Sequence, residues 1–283
     1  MIPRIAMKTP TILLADNGSK RADSVINLRR LANQLSNLSN HQVFPVSLQH
    51  ADNIPTESLN GEAAEILPTF LREKLNQGET AFILVPLFFG RSRALTSFIP
   101  QQLEKLRAEY GPFTLTLAEE LYPLPQGEPR VASILHQQLQ ITDQGRPPQL
   151  VILVDHGSPL PQVSEVRKRV CADLRQQLPP EIELQQAVME RRRGDEYDFN
   201  GQLLSEQLEK IARTRPNITI DLALLFLSPG RHAGAGGDIE SICQQLTGSH
   251  PGIQIRIAPL VGQHPGLAEI LLDRLDSALD NPV

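Results

Sequence analysis

The sequence predicts an α/β protein built from two similar domains, each a parallel sheet flanked by helices. Three observations carry this. Short apolar runs alternate with longer amphipathic stretches along all 283 residues, the pattern of strands joined by right-handed helical crossovers. The runs Ile83–Leu87 and Leu150–Val154 are apolar at consecutive residues, as strands covered on both faces are. Finally, two segments of the first half recur in the second at nearly one offset, which marks an internal duplication.

Strands are expected at Ile12–Leu14, Val43–Val46, Ala81–Phe89 and Thr114–Leu117, then at Leu150–Val154, Glu183–Val188, Ile218–Leu227 and Ile253–Ile257. Helices lie between them. Val163, Val166, Val170, Leu174 and Leu178, three or four residues apart, make one apolar stripe. The first repeated segment is Thr11-Ile-Leu-Leu-Ala-Asp-Asn-Gly-Ser19, matched by Leu150-Val-Ile-Leu-Val-Asp-His-Gly-Ser158, an offset of 139 from Asp16 to Asp155. The second is Pro86-Leu-Phe-Phe-Gly-Arg-Ser92, matched by Leu224-Leu-Phe-Leu-Ser-Pro-Gly-Arg-His232, an offset of 140 from Gly90 to Gly230. Each closes a strand. The join is placed in the polar stretch Thr142–Pro148, dividing the chain into domains 1–143 and 149–283.

Composition narrows the function classes. A hydrophobic share of 40% with 21% charged residues is ordinary for a globular protein. The net charge of −5 offers no broad electrostatic reason to bind nucleic acid. The start, Met1–Lys8, lacks the apolar core of a signal peptide, and no apolar run approaches a membrane span. Cys171 and Cys243 match no CxxC spacing and read as two buried, reduced thiols. A cytoplasmic protein without membrane or nucleic-acid partners is expected, a monomer or weak homodimer.

The duplication compares the molecule with itself. Where the first half has Asn17 and Ser92, the second has His156 and His232. Ligands of open α/β sheets bind beyond the carboxyl ends of the strands, and both histidines follow strands. If those strands are neighbours, the imidazoles converge, and neutral imidazole suits divalent iron, cobalt, nickel and zinc. Glu190 ends its own strand on the same side and completes the candidate metal set. Arg191, Arg192, Arg193 and Arg231 would hold an anionic ligand through paired hydrogen bonds, with Arg91 and Arg93 facing them from the first half. His41, His50, His136 and His250 read as solvated; His264 borders the site or shapes a turn. Ala233–Asp238 is no dinucleotide fingerprint. It is either a loop whose amides approach anions or a simple helix entry capped or charged by Asp238. Ser158 sits in no nucleophile elbow, and no phosphate loop is present.

Asp155-His-Gly-Ser158 after a buried strand resembles the opening motif of the sirohydrochlorin chelatase family, the ATP-independent class II tetrapyrrole chelatases of the CbiX/SirB type. Leu225–His232 resembles their second histidine motif, Ala187-Val-Met-Glu190 their carboxylate segment, and Pro259–Gly266 their last strand-to-helix passage. The likeness covers nearly the whole chain, in the duplicated two-domain form of the family. It implies two α/β domains facing a central cleft. It also implies insertion of Fe2+ or Co2+, with Ni2+ acceptable to the same ligands, into sirohydrochlorin or a related precorrin on the way to siroheme or cobalamin. No cofactor beyond that substrate metal is implied. His156 and His232 would bind metal and accept protons, Glu190 would be a third ligand, and Ser158 would join the arginines in holding the ring. The first domain, lacking both histidines, departs from the pattern and keeps a structural and substrate-enclosing role; the Gly-rich stretch after His232 departs from it too. A metal or tetrapyrrole carrier without turnover, and a two-lobed ligand-binding module, are the alternatives.

Overall fold

The computed structural model describes residues 9–143 and 145–281; the Met1–Lys8 start and Gln144 of the joining stretch lie outside them. The first repeat runs β1 (Thr11–Asp16), α1 (Ala22–Ser39), β2 (Val43–Ser47), α2 (Leu67–Asn76), β3 (Ala81–Pro86), α3 (Ile99–Tyr110), β4 (Thr114–Leu117) and α4 (Pro129–Asp143). The second repeats this order with β5 (Leu150–Asp155), α5 (Pro161–Gln177), β6 (Glu183–Val188), α6 (Leu204–Thr214), β7 (Ile218–Leu224), α7 (Asp238–Ser249), β8 (Ile253–Ile257) and α8 (Leu267–Asp280). All strand pairs are parallel, in the orders β2-β1-β3-β4 and β6-β5-β7-β8.

Burial explains the sequence patterns. The inner strands β1, β3, β5 and β7 are covered on both faces and hence mostly apolar, with buried exceptions such as Asp16 and Asp221, whereas the edge strands β4 and β6 are half exposed and carry polar residues such as Gln185 and Gln186. Strands read as far as Phe89 and Leu227 stop at Pro86 and Leu224, because the apolar residues beyond them belong to the loops of the carboxyl edge. Leu13, Val46, Phe70, Phe82, Leu84 and Ile99 belong to one core cluster, and Ile152, Leu204, Leu208, Leu222, Ile239 and Leu246 to another.

By contact density the chain forms two compact units. Of the described residues, one unit holds those up to 88, 93–121 and those from 268 on; the other holds 89–92 and those within 122–267. Thus α4 is counted with the second sheet, where Gln138 donates to the Leu260 carbonyl at 3.3 Å, and α8 with the first, where Arg274 donates to the Glu120 carbonyl at 3.0 Å. No helix among the described residues is long and apolar enough to cross a membrane. Cys171 and Cys243 are free and buried, and burial pushes their thiols up to about 11 and about 12.

One buried carboxyl distinguishes the repeats. Asp16, closing β1, is 7% exposed and receives the Gly18 amide at 3.0 Å and hydrogen bonds from Ser24 and Ser47. No cation is among the groups acting on it, and burial raises its pKa from 3.8 to about 6. A folded-state value above the unfolded one gives stability that is complete below pH 4 and lost as pH rises through 6. The shift corresponds to about 3 kcal/mol. Asp16→Asn, which keeps the acceptor and cannot ionise, is therefore expected to gain on wild type by about that amount between pH 4 and pH 7, measured by chemical denaturation at both pH values. A stability difference independent of pH would show that Asp16 is not desolvated as described.

Candidate metal centre

A sheet ordered β6-β5-β7-β8 reverses direction between β5 and β7, because the chain leaves β5 to one side and returns to the other. A crevice opens at that point beyond the carboxyl ends. His156 follows β5 and His232 follows the loop after β7, and these strands are hydrogen-bonded neighbours. Glu190 follows β6 on the other side of β5. The three residues converge: one ligand atom from each lies within 4.8 Å of the others, and the two imidazole centroids are 4.8 Å apart with planes at 77°.

Backbone contacts fix this convergence. The Met189 amide donates to the Asp155 carbonyl at 3.0 Å and the Glu190 amide to the His156 carbonyl at 2.9 Å, so the loop after β6 lies directly on the loop after β5. Gly157, at φ 88°, makes that approach possible: a Cβ there would sit 1.9 Å from the Glu190 carbonyl oxygen. On the other side, the amides of Asp238 and Ile239 donate to the carbonyls of Arg231 and His232 at 3.1 and 3.0 Å. The first turn of α7 thereby grips the histidine's own backbone. Gly237 is required for this, since a Cβ there would meet the His232 carbonyl oxygen at 2.7 Å.

The two histidines differ. His156 is exposed, and its Nδ1 lies 3.2 Å from the Gly157 carbonyl. His232 is 6% exposed and held at both nitrogens: Nδ1 is 2.8 Å from Asp238 Oδ2 and Nε2 is 3.1 Å from Glu190 Oε1. Carboxylates only accept, and one faces each ring nitrogen, so Asp238 and Glu190 together fix the orientation of the imidazole. Two metal–ligand bonds of about 2.1 Å at a right angle put their ligand atoms about 3.0 Å apart. His232 Nε2 and Glu190 Oε1 already have that spacing.

The arginines divide. Arg231 reaches Glu190 Oε1 at 3.2 Å and Asp238 Oδ2 at 3.4 Å. Arg191 pairs with Asp198 at 3.3 Å and donates to the Gly201 carbonyl at 3.0 Å, folding back on its own loop; Arg192 stacks over Tyr197 at 5.8 Å, and Arg193 is exposed. Ser158 Oγ accepts the Leu160 amide at 3.1 Å at the entry to α5. His264 shapes its turn, with Nδ1 accepting the Gly266 amide at 3.1 Å and Nε2 2.9 Å from Gln137.

Sequence reasoning missed three features. Asp238, weighed only as a cap or first-turn acid, is the partner of His232; a separation of six residues across a non-helical loop has no periodic signature. The support beneath His156 was also missed. Arg167, 2% exposed, donates to Asp155 Oδ1 at 2.7 Å, Gln186 Oε1 at 3.1 Å and the Asn200 carbonyl at 2.7 Å. Asn200 Oδ1 takes the Ser158 amide and Ser164 hydroxyl at 3.0 Å each, and its Nδ2 returns to the Ser158 carbonyl at 2.9 Å. Burial pushes the Asp155 carboxyl up and Arg167 opposes it. Third, strand register pairs Asp16 with Ser47 and Asp155 with Val188. The first-repeat counterpart of Glu190 is therefore Gln49, whose carbonyl a Cβ on Gly18 would meet at 1.7 Å. All three ligand positions of the first repeat are thus neutral: Asn17, Gln49 and Ser92.

Solved structures resemble the chain at low identity. SirB from Bacillus subtilis with Fe3+ has a TM-score of 0.70 at 17% identity, with 96% of each chain covered. The sirohydrochlorin chelatase SirB from Bacillus subtilis subspecies spizizenii in complex with cobalt has a TM-score of 0.68 at 16% identity, again with 96% of each covered. CbiX, the terminal enzyme for biosynthesis of siroheme in denitrifying bacteria, has a TM-score of 0.59 at 16% identity, covering 95% of this chain and 99% of that one. At these identities the likeness establishes the fold. No curated protein matches the chain. A family model described as CbiX matches residues 11–142 and again residues 150–278; with both repeats matched, the chain belongs to the CbiX family.

Proposed function

We propose that this protein is a sirohydrochlorin chelatase that inserts Fe2+ or Co2+ into sirohydrochlorin or a related precorrin without ATP, using one site in its second repeat. The observation that carries this is the approach of His156, Glu190 and His232 to within 4.8 Å of one another, with His232 oriented by Asp238. Family membership and the iron- and cobalt-bound relatives of the same fold point the same way.

Insertion exchanges a hydrated divalent ion and two pyrrole N–H protons for a metallated ring and two released protons. Imidazole and carboxylate ligands replace metal waters while remaining exchangeable enough to release the ion. His232 Nε2 and Glu190 Oε1 form one edge of the ligand set, and His156, exposed, forms its outer side. As the ion moves into the ring, the vacated imidazole and carboxylate accept the pyrrole protons. Arg231, beside the ligand set, holds a ring carboxylate. Ni2+ satisfies the same donors, so the choice of metal rests on supply and ring fit. The buried free thiols suit a reducing compartment, and we place the reaction in the cytoplasm.

The test offers sirohydrochlorin with Fe2+, Co2+ or Ni2+, anaerobically and without nucleotide, and follows the ring absorbance. Turnover with iron or cobalt above the uncatalysed rate is expected. Tight binding of metal and ring with no turnover would make the protein a carrier instead.

A further inference from the structure

We propose that the Arg231 guanidinium occupies the metal's place on Glu190 in the metal-free protein, and that metal binding releases it to bind a carboxylate of the incoming ring. This rests on the chelatase reading above and adds an order of events to it.

The argument starts from one oxygen. Glu190 Oε1 lies 3.1 Å from His232 Nε2 and 3.2 Å from Arg231 NH1. Glu190 and Asp238 flank the buried imidazole, one carboxylate at each ring nitrogen. Two carboxylates that close to one another favour a cation between them. Arg231 supplies it, and its Nε reaches Asp238 Oδ2 at 3.4 Å, the oxygen that also meets His232. One guanidinium thus spans both carboxylates flanking the imidazole. A divalent ion bound by Oε1 and Nε2 would compete with Arg231 for the same oxygen and bring a double positive charge within a few ångströms of it.

Release is inexpensive. The Arg231 side chain is 77% exposed and Glu190 45%, and exposed ion pairs of this kind contribute about 0.2–1 kcal/mol. A freed, solvated guanidinium next to a newly bound metal is placed for a ring carboxylate. Metal therefore strengthens ring binding, and by linkage the ring strengthens metal binding. The first repeat has Arg91 in the corresponding place but Gln49 in place of the glutamate, so the exchange is confined to the second repeat.

The experiment measures Co2+ binding to the full chain by calorimetry, for wild type and Arg231→Gln. Removing the competing cation is expected to lower the Co2+ dissociation constant about two- to five-fold, with the gap narrowing at high salt. An unchanged or weaker Co2+ affinity would mean that Arg231 only positions Glu190, and would overturn the proposal while leaving the chelatase reading intact. Absence of Co2+ binding in wild type would overturn both. A second readout is the Nε–H resonance of Arg231, assigned by its loss in Arg231→Gln. On saturation with diamagnetic Zn2+ it is expected to move to the position of a solvated guanidinium; a resonance unmoved with Zn2+ bound would rule out release.

Discussion

His232→Ala is expected to reduce metal insertion by at least about 100-fold, the lower end of what a positioned proton-transfer group contributes, and to cost more than His156→Ala. The ranking follows from how each imidazole is held. His232 is buried, its ring is held by Asp238 at Nδ1, and its Nε2 stands at ligand spacing from Glu190. In the proposed reaction its loss removes a metal ligand and a proton acceptor, and in the structure it removes the link between two carboxylates. His156 is exposed and restrained through one ring nitrogen beside a neighbouring carbonyl, so water or a nearby rotamer can replace part of its role. Initial rates from ring absorbance, with Co2+ affinity measured in parallel, separate loss of binding from loss of transfer. Asn17→Ala is the control and should stay close to wild type, because the first repeat offers no ligand at any of its three positions. A His232→Ala protein within threefold of wild type would sink the proposed site.

The sequence made most of this site legible because duplication supplied an internal reference. Asn17 against His156 and Ser92 against His232 isolate the two residues that differ within otherwise matched motifs. Strand-end placement put Glu190 beside them. The architecture was legible for a similar reason: inner strands buried on both faces read as unbroken apolar runs such as Leu150–Val154. What stayed hidden was contact between segments with no shared period. Asp238 meets His232 only because glycines fold the 233–237 loop back onto the start of α7. Asn200 reaches Ser158 across forty-two residues, at the end of a short 3-10 turn that has no apolar signature. The place of Gln49 required the β1–β2 register, since polar residues after an edge strand carry no periodic mark. The arginine triplet shows a detail that the sequence does not carry. Three consecutive guanidinium groups read as one anion-binding patch, and their resting partners differ: Arg191 meets Asp198 and the Gly201 carbonyl, and Arg192 lies over Tyr197.

The second large effect concerns what lies beneath the site. Arg167→Leu reproduces in the second repeat what the first already has, since the residue 139 positions earlier is the buried Leu28. It is expected to cost about 3–5 kcal/mol at pH 7, as removal of one partner from a buried ion pair does. The Arg167 side chain is 2% exposed and that of Asp155 13%, so water cannot solvate the stranded carboxylate, and the Gln186 and Asn200 acceptors also lose their donor. Two further outcomes distinguish this from simple loss of packing. Asp155→Asn placed on Arg167→Leu removes the uncompensated charge and should recover part of the loss, a coupling visible in a double-mutant cycle by denaturant unfolding. The single variant should also regain stability on mild acidification. Without the arginine, burial alone acts on Asp155 and holds its folded-state pKa above the unfolded value, so stability is present at low pH and lost as pH rises. Equal losses in the single and double variants would show that Arg167 acts through packing alone. A stability loss confined to the second repeat with Co2+ affinity unchanged would show that the network holds the fold without tuning the ligands. The expectation here is that both fall together, because Asn200 joins the Arg167 guanidinium to the backbone that carries His156.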